Sequence, residues 1–422
     1  MRQALIQILL SPRVLRLVMG PPLMLRRGWM RLGFARGAPG NFEKTQGVAN
    51  SPRVLVVRLD RIGDVVLTTP FLRELRAALP GSWITLVVVP QLLPLMQACP
   101  YVNQVLGYQR TRPFGGGKAD LNARLDMIRF AMRELWPGRF DLAINPRRGV
   151  DFEFGTMLCH LSGARRRIGF TEQPPVPNSP SNNGFNQLLT DVLPTARVHE
   201  VVSNLSVLKS LGHSPAPCDT VPTHRLELWA DPADQEWARR KLQIVPGRDR
   251  FVCFCIGASQ PLKQWSIGRF SEVGAHLLNR TNDRIVIVGG PGDSAPAEQL
   301  VQQLGDRVIN LAGKATLRQT FAVLQLCRLY VGNDTGPMHL AAAAGVAVVE
   351  ICSFPRSLPE WNSNSPARFA PWGVPSIVLQ PERPTAPCVD FCVAPQPHCI
   401  LGVQTTDVIS AVDRIENMTG RG

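Results

Sequence analysis

Leu329-Tyr-Val-Gly-Asn-Asp-Thr-Gly-Pro-Met-His-Leu-Ala-Ala-Ala-Ala-Gly345 reads as a strand, a tight turn and a helix. The apolar start predicts a strand over residues 329–332. Asp334 or Thr335 can act as the helix N-cap, because their side-chain oxygens accept bonds from first-turn amides. Pro337 fits the first turn, where a missing N–H costs nothing. Gly336 leaves no side chain in front of the helix, and Gly345 suits its C-terminal end. A helix N-terminus at the end of a strand presents bare amides and the positive end of a dipole, which suits phosphate. The same pattern also describes an ordinary capped helix in an α/β domain.

The rest of the chain repeats this alternation. Residues 54–59 (Val-Leu-Val-Val-Arg-Leu) are a predicted buried strand, Asp60 to Asp64 a turn, and residues 65–79 a helix. Strands are expected at 83–89, 102–108, 140–145 and 167–170. After a Pro-containing stretch at 212–224, a second series has strands at 251–256, 284–288, 308–311, 329–332, 347–351 and 377–379. Helical patterns lie between them, and residues 406–415 read as a terminal helix. Strands and helices in this rhythm imply parallel sheets covered on both faces. The expected organisation is a basic extension and linker at 1–52, one doubly wound domain at 53–222 and a second at 223–422. Open parallel sheets take ligands at the carboxyl ends of their strands, so two such edges facing each other form a central cleft. Residues 171–197 and 355–375, rich in Pro, Asn and Ser, read as long loops.

The chain has 422 residues, 45% hydrophobic and 18% charged, which is a globular composition with room for two cores. Its net charge of +14 is uneven: residues 1–53 carry nine Lys and Arg against the single acid Glu43. Short apolar pieces interrupted by Arg13 and Arg16 suit an amphipathic segment at residues 1–36 on an anionic membrane surface. No aromatic-interleaved basic platform points to nucleic acid. No apolar run approaches a membrane span, and no cleavage site marks a signal peptide. The ten cysteines do not form a disulfide framework, and several lie inside apolar strands, which fits a reducing cytoplasm.

Candidate chemistry clusters where predicted strands end. Asp64, after Gly63, is placed to act as general base toward a hydroxyl, although a carboxylate there also caps a helix. Arg58 and Arg61 flank it and can pair with acidic groups of an acceptor. Lys263, in Ser259-Gln-Pro-Leu-Lys-Gln-Trp265, can meet a diphosphate as a point charge. The glycines of Gly289-Gly-Pro-Gly-Asp293 allow close ligand approach, but a tight turn explains them as well. With a single glycine in the first turn there is no G-x-G-x-x-G fingerprint, so no nicotinamide or flavin cofactor is expected. Cys388-x3-Cys392-x5-His398-Cys399 has a metal-like spacing but lacks paired C-x2-C knuckles. Loop thiols are the plainer reading, and no metal is assigned from sequence.

Two stretches carry a family resemblance: Val54-Leu-Val-Val-Arg-Leu-Asp-Arg-Ile-Gly-Asp-Val-Val-Leu-Thr-Thr-Pro70 and Val331-Gly-Asn-Asp-Thr-Gly-Pro-Met-His-Leu-Ala-Ala342. They resemble glycosyltransferase family 9, the ADP-heptose:lipopolysaccharide heptosyltransferases, over about residues 53–416. The resemblance implies a GT-B fold of two Rossmann-like domains, with acceptor on the first and nucleotide sugar on the second. It implies an inverting, metal-independent transfer with no cofactor, the nucleotide-sugar donor, ADP-heptose, being a substrate. Asp64 matches the general base and Lys263 the phosphate-contacting lysine. Asp334, Thr335, Gly336, Pro337, Met338 and His339 match the donor motif, joined by Gly289 and Gly290. Gly63, Arg58 and Arg61 fall on the acceptor side. The implied acceptor is lipid-linked or a surface glycan, met at the cytoplasmic face of the inner membrane. The alternatives are a non-catalytic nucleotide-sugar or carbohydrate-binding protein, or an epimerase or hydrolase, on the same scaffold.

Overall fold

A computed structural model describes residues 51–109, 118–171, 184–215, 224–244, 250–360, 364–389 and 394–420. The basic segment at 1–36, most of its linker, and residues 172–183 and 216–223 of the two later stretches lie outside these residues.

The first sheet has six parallel strands: β1 (Arg53–Val57), β2 (Trp83–Val88), β3 (Gln104–Gly107), β4 (Leu142–Asn145), β5 (Arg166–Phe170) and β6 (Asp191–Leu193). Their spatial order is β3-β2-β1-β4-β5-β6. The second sheet holds β7 (Phe251–Cys255), β8 (Arg284–Val288), β9 (Val308–Asn310), β10 (Cys327–Asn333), β11 (Ala347–Ile351) and β12 (Ser376–Leu379), in the order β12-β11-β10-β7-β8-β9. Each order reverses direction once, between β1 and β4 and between β7 and β10. Those are the switch points at which doubly wound sheets leave a crevice.

Both sheets are covered on both faces, as parallel sheets must be. In the first, Val54, Val56, Ile84 and Leu86 pack with Phe71, Leu72 and Leu75. The alternate residues Leu55, Val57 and Val87 pack with Met127, Leu135 and Leu158. In the second, Val252, Phe254, Ile285 and Ile287 meet Phe270, Val273 and Leu277, with Val408 and Val412 of the terminal helix Thr405–Thr419 in the same cluster.

Two local expectations are corrected. The helix expected at 65–79 is two helices, Ile62–Val66 and Thr69–Ala78, with Pro70 in the first turn of the second. Pro70 has no N–H for the Val66 carbonyl, so a continuous helix cannot form there. Thr69 Oγ1 donates to Val66 O at 2.8 Å instead, and Asn204 Nδ2 donates to Leu67 O at 3.1 Å. The second correction is β6, which lies inside the stretch expected to be loop. It pairs with β5 through Ile168–Asp191, Gly169–Val192 and Phe170–Leu193.

Candidate active site

The strand-turn-helix at 329–345 forms as expected, with β10 slightly longer and the helix at Gly336–Ala343. Its end is a Schellman turn: Val346 N donates to Ala341 O at 3.0 Å and Gly345 N to Ala342 O at 3.1 Å. Gly345 has a φ of 75°, which only glycine adopts without strain. Its beginning differs from expectation. Thr335 is the N-cap residue, yet neither it nor Asp334 caps with its side chain. Thr335 Oγ1 donates to Asn333 O at 3.2 Å, and the Asp334 carboxylate accepts from Lys263 Nζ at 2.8 Å.

Asn333, fully buried at the end of β10, ties this turn to the loop after β7. Its Nδ2 donates to Ile256 O at 2.7 Å, and its Oδ1 accepts from Trp265 N at 3.1 Å. That loop carries Lys263 in a 3-10 turn, Pro261–Lys263. Lys263 and Asp334 therefore meet across the second switch point. Burial lowers the ammonium's pKa, but the Asp334 charge and hydrogen bond reverse this, and the net shift is upward. His339 is buried, and burial lowers its pKa to about 4, so the ring is neutral at ordinary pH. Its Nδ1 has no hydrogen-bond partner among the described residues.

The first switch point supplies the facing wall. Asp64 stands in the third position of the Ile62–Val66 helix. Its Oδ2 accepts from Arg61 N at 3.3 Å and its Oδ1 from Arg58 Nη2 at 3.1 Å. The capping role is thus real, and it also fixes the carboxylate in place. Burial raises the Asp64 pKa; Arg58 pulls it down, Glu200 pushes it up, and the net shift is upward. A carboxylate of raised pKa at a crevice suits proton abstraction from a hydroxyl.

Arg58 was expected to face an acceptor. It is only 1% exposed and also binds Asp60 (2.9 Å) and Glu200 (2.8 Å), so it sits behind Asp64 rather than on the open cleft. Glu200, fully buried at the start of the Glu200–Ser206 helix, is shared by Arg58, Arg368 (2.8 Å) and Arg148 (3.7 Å). Burial raises its pKa, but Arg368 and Arg58 outweigh that and hold it well below the carboxylate range. Arg147, in the loop after β4, pairs with Asp60.

Contacts between the two halves bring these walls together. Arg61 Nη1 donates to Ser259 Oγ at 2.7 Å. A β-carbon on Gly63 would lie 2.4 Å from His339 Cδ2, and one on Gly336 would lie 2.8 Å from Ile62 Cβ. The two glycines let the helix starts Ile62–Val66 and Gly336–Ala343 pack face to face. Farther out, Trp372 Nε1 donates to His224 O at 2.9 Å and stacks on His199, with centroids 4.5 Å apart.

Gly289 and Gly290 fit the turn reading. Asp293 Oδ2 accepts from Gly290 N at 2.8 Å, and β-carbons on Gly289 or Gly257 would strike the Asp293 carboxylate. Sequence reading missed Glu200, Arg148 and Arg368, which only folding brings together. Arg147 and Arg148 had one usable signal, because they follow β4, the neighbour of β1.

At the carboxyl end of the second half, Cys388 Sγ and Cys399 Sγ lie 3.6 and 3.8 Å from His398 Nδ1. Cys392 lies outside the described residues.

Residues 193–392 match the family described as Glycosyltransferase family 9 (heptosyltransferase). Over these residues the chain is similar to that glycosyltransferase family. It is 25% identical over 292 residues to lipopolysaccharide heptosyltransferase 3 of Escherichia coli strain K12, covering 68% of this chain and 79% of that one. The solved structure of a glycosyl transferase family 9 protein from Veillonella parvula superposes with a TM-score of 0.70 at 23% identity, over 88% of this chain and 99% of that one. The structure of E. coli ADP-heptose lps heptosyltransferase II gives 0.64 at 17% identity, over 87% and 99%. These superpositions show a shared fold, and the region matched by the family model contains the whole second sheet.

Proposed function

We propose that this chain is an inverting glycosyltransferase that moves heptose from ADP-heptose to a lipopolysaccharide-core acceptor. The observation that carries the reading is the opposition of two switch points, one ending in Asp64 and the other in Lys263, Asp334 and an N-terminus without a side-chain cap at Gly336. The similarity to named heptosyltransferases supports the choice of sugar, and the relative named for ADP-heptose supports the nucleotide.

In this reading the acceptor hydroxyl lies against Asp64. The carboxylate takes its proton as the oxygen attacks the anomeric carbon from the face opposite the diphosphate. The C–O bond to the diphosphate breaks as the new glycosidic bond forms, and ADP leaves with the bonding electron pair. Lys263 and the amides around Thr335–Met338 receive the charge that develops on the leaving group. Asp334 holds Lys263 in place between turnovers. Arg58 and Glu200 hold Asp64 from behind, while Arg61, Arg147 and Arg148 line the acceptor side and favour a phosphorylated or otherwise anionic acceptor.

Residues 1–36 are proposed to rest on the anionic membrane surface that presents such an acceptor. Among the described residues no helix is long and apolar enough to cross a membrane. The function is tested by isothermal titration against ADP, UDP and GDP sugars, followed by transfer to core-oligosaccharide acceptors. ADP-selective binding with sugar transfer fits the proposal. Binding without transfer to any core acceptor would favour the non-catalytic reading, and selectivity for UDP or GDP would replace the donor.

A further inference from the structure

Residues 381–402 follow β12 and lead into the terminal helix. Among the described residues of this segment, the helical turn Cys399–Gly402 is the only regular element. A loop of this length needs something to hold it. Three side chains converge inside it. Cys388 and Cys399 are buried, at 6% and 3% exposure, and both sulfurs face the same nitrogen of His398. All three ligand atoms lie within 4.8 Å of one another.

The two S···N separations are close to those of a coordination shell. With metal–sulfur and metal–nitrogen bonds of about 2.3 and 2.0–2.1 Å, a tetrahedron has S···N edges of about 3.5 Å and an S···S edge of about 3.8 Å. The observed S···N separations of 3.6 and 3.8 Å need only small adjustments. Two thiolates and a neutral imidazole neutralise a divalent ion and select a borderline-soft one over calcium or magnesium. Three protein donors leave the fourth position to solvent or a further donor.

We propose that Cys388, His398 and Cys399 bind a structural divalent transition metal, Zn(II) in the first instance, on binding of which both thiols release their protons. The position in the fold gives the ion its role. The turn that Cys399 opens packs on the Pro261–Lys263 turn. Trp265 Nε1 donates to Val403 O at 3.0 Å, and Arg269 Nη1 donates to Leu401 O and Val403 O at 2.7 Å each. The metal knot therefore buttresses the loop that carries Lys263. It lies outside the reacting groups and is independent of the assignment of donor and acceptor.

The test uses the full chain, expressed in zinc-supplemented medium and purified without a metal-affinity tag. Elemental analysis after desalting is expected to give about one zinc per chain, and Co(II) exchange to give thiolate charge-transfer and tetrahedral d–d absorption. Cys388→Ser and Cys399→Ser should each lose the ion, whereas Cys327→Ser, at a buried cysteine in β10, should keep it. If the ligand variants misfold, chelation of the wild-type protein serves instead. It should lower Tm and raise hydrogen exchange over residues 259–265, both restored by added Zn(II). Folded wild-type protein with less than a tenth of an equivalent of metal, before and after added Zn(II), would overturn the proposal. So would a Cys388–Cys399 disulfide found by mass spectrometry in protein purified under reducing conditions.

Discussion

Gly63 and His339, one from each half of the chain, are in such close contact that a β-carbon on Gly63 would lie 2.4 Å from His339 Cδ2. This pair joins the two helix starts that carry Asp64 and the 334–339 turn. Gly63→Ala should therefore lower stability by about 1–3 kcal/mol through overpacking. His339→Ala in the same chain should relieve much of that loss. A double-mutant cycle followed by urea unfolding checks it, and simple additivity would show that the two residues do not press on each other.

Glu200 is shared by three arginines inside the protein, so removing its charge takes the acid from Arg368 and Arg148 and leaves Arg58 with Asp60 and Asp64. Glu200→Gln should cost about 3–5 kcal/mol, the range for breaking a buried ion pair on one side. The folded-state pKa lies below the ordinary value. The stability it contributes is thus present above the unfolded-state value and is lost as pH falls through the folded one. Tm measured against pH should show this acid-side loss in the wild type and a smaller one in Glu200→Gln.

Asp64 should set the acid limb of kcat/KM, at a pH above that of an ordinary aspartate, because its pKa is raised. Arg58 lowers that pKa, so Arg58→Met should move the limb to still higher pH. The shift is read from pH–rate profiles of the folded variant. Burial pushes the pKa of His339 and of His199 down to about 4, so neither should add a limb near neutral pH.

Lys263 is expected to contribute more to charge on the leaving group than to ground-state binding. Lys263→Ala should reduce kcat by about 10²–10³, the range for losing one preorganised donor. Asp334→Asn should be milder, since it removes the residue that holds Lys263 but leaves the cation. Steady-state kinetics with varied donor separates the two, and equal losses in both variants would argue that the ion pair acts as a unit.

The two motifs were legible because each is local: an apolar strand, a Gly-containing turn and a helix start follow one another within about a dozen residues. Parallel doubly wound sheets then put both turns at the same kind of edge, so the pairing of Asp64 with the 334–339 turn followed from topology. Glu200 and Arg368 are 168 positions apart and meet only through the fold, so no local pattern could reveal them. The helix break at Thr68 was signalled by Pro70, which the apolar periodicity of residues 65–79 masked. Asp64 had two readings in sequence, cap and base, and the structure shows the capping bond together with a raised pKa. In the Cys388–Cys399 segment the spacing was visible, but a loop's path is not encoded by periodicity, so convergence on His398 was not.

The most direct test of the account is single-turnover transfer by Asp64→Asn with donor prebound. The substitution keeps the shape and the hydrogen bond from Arg61 while removing the base. The account predicts donor affinity within about twofold of wild type and a chemical step slower by about 10²–10⁴, the range for losing a general base. Transfer at the wild-type rate by a folded, donor-saturated Asp64→Asn protein would contradict it.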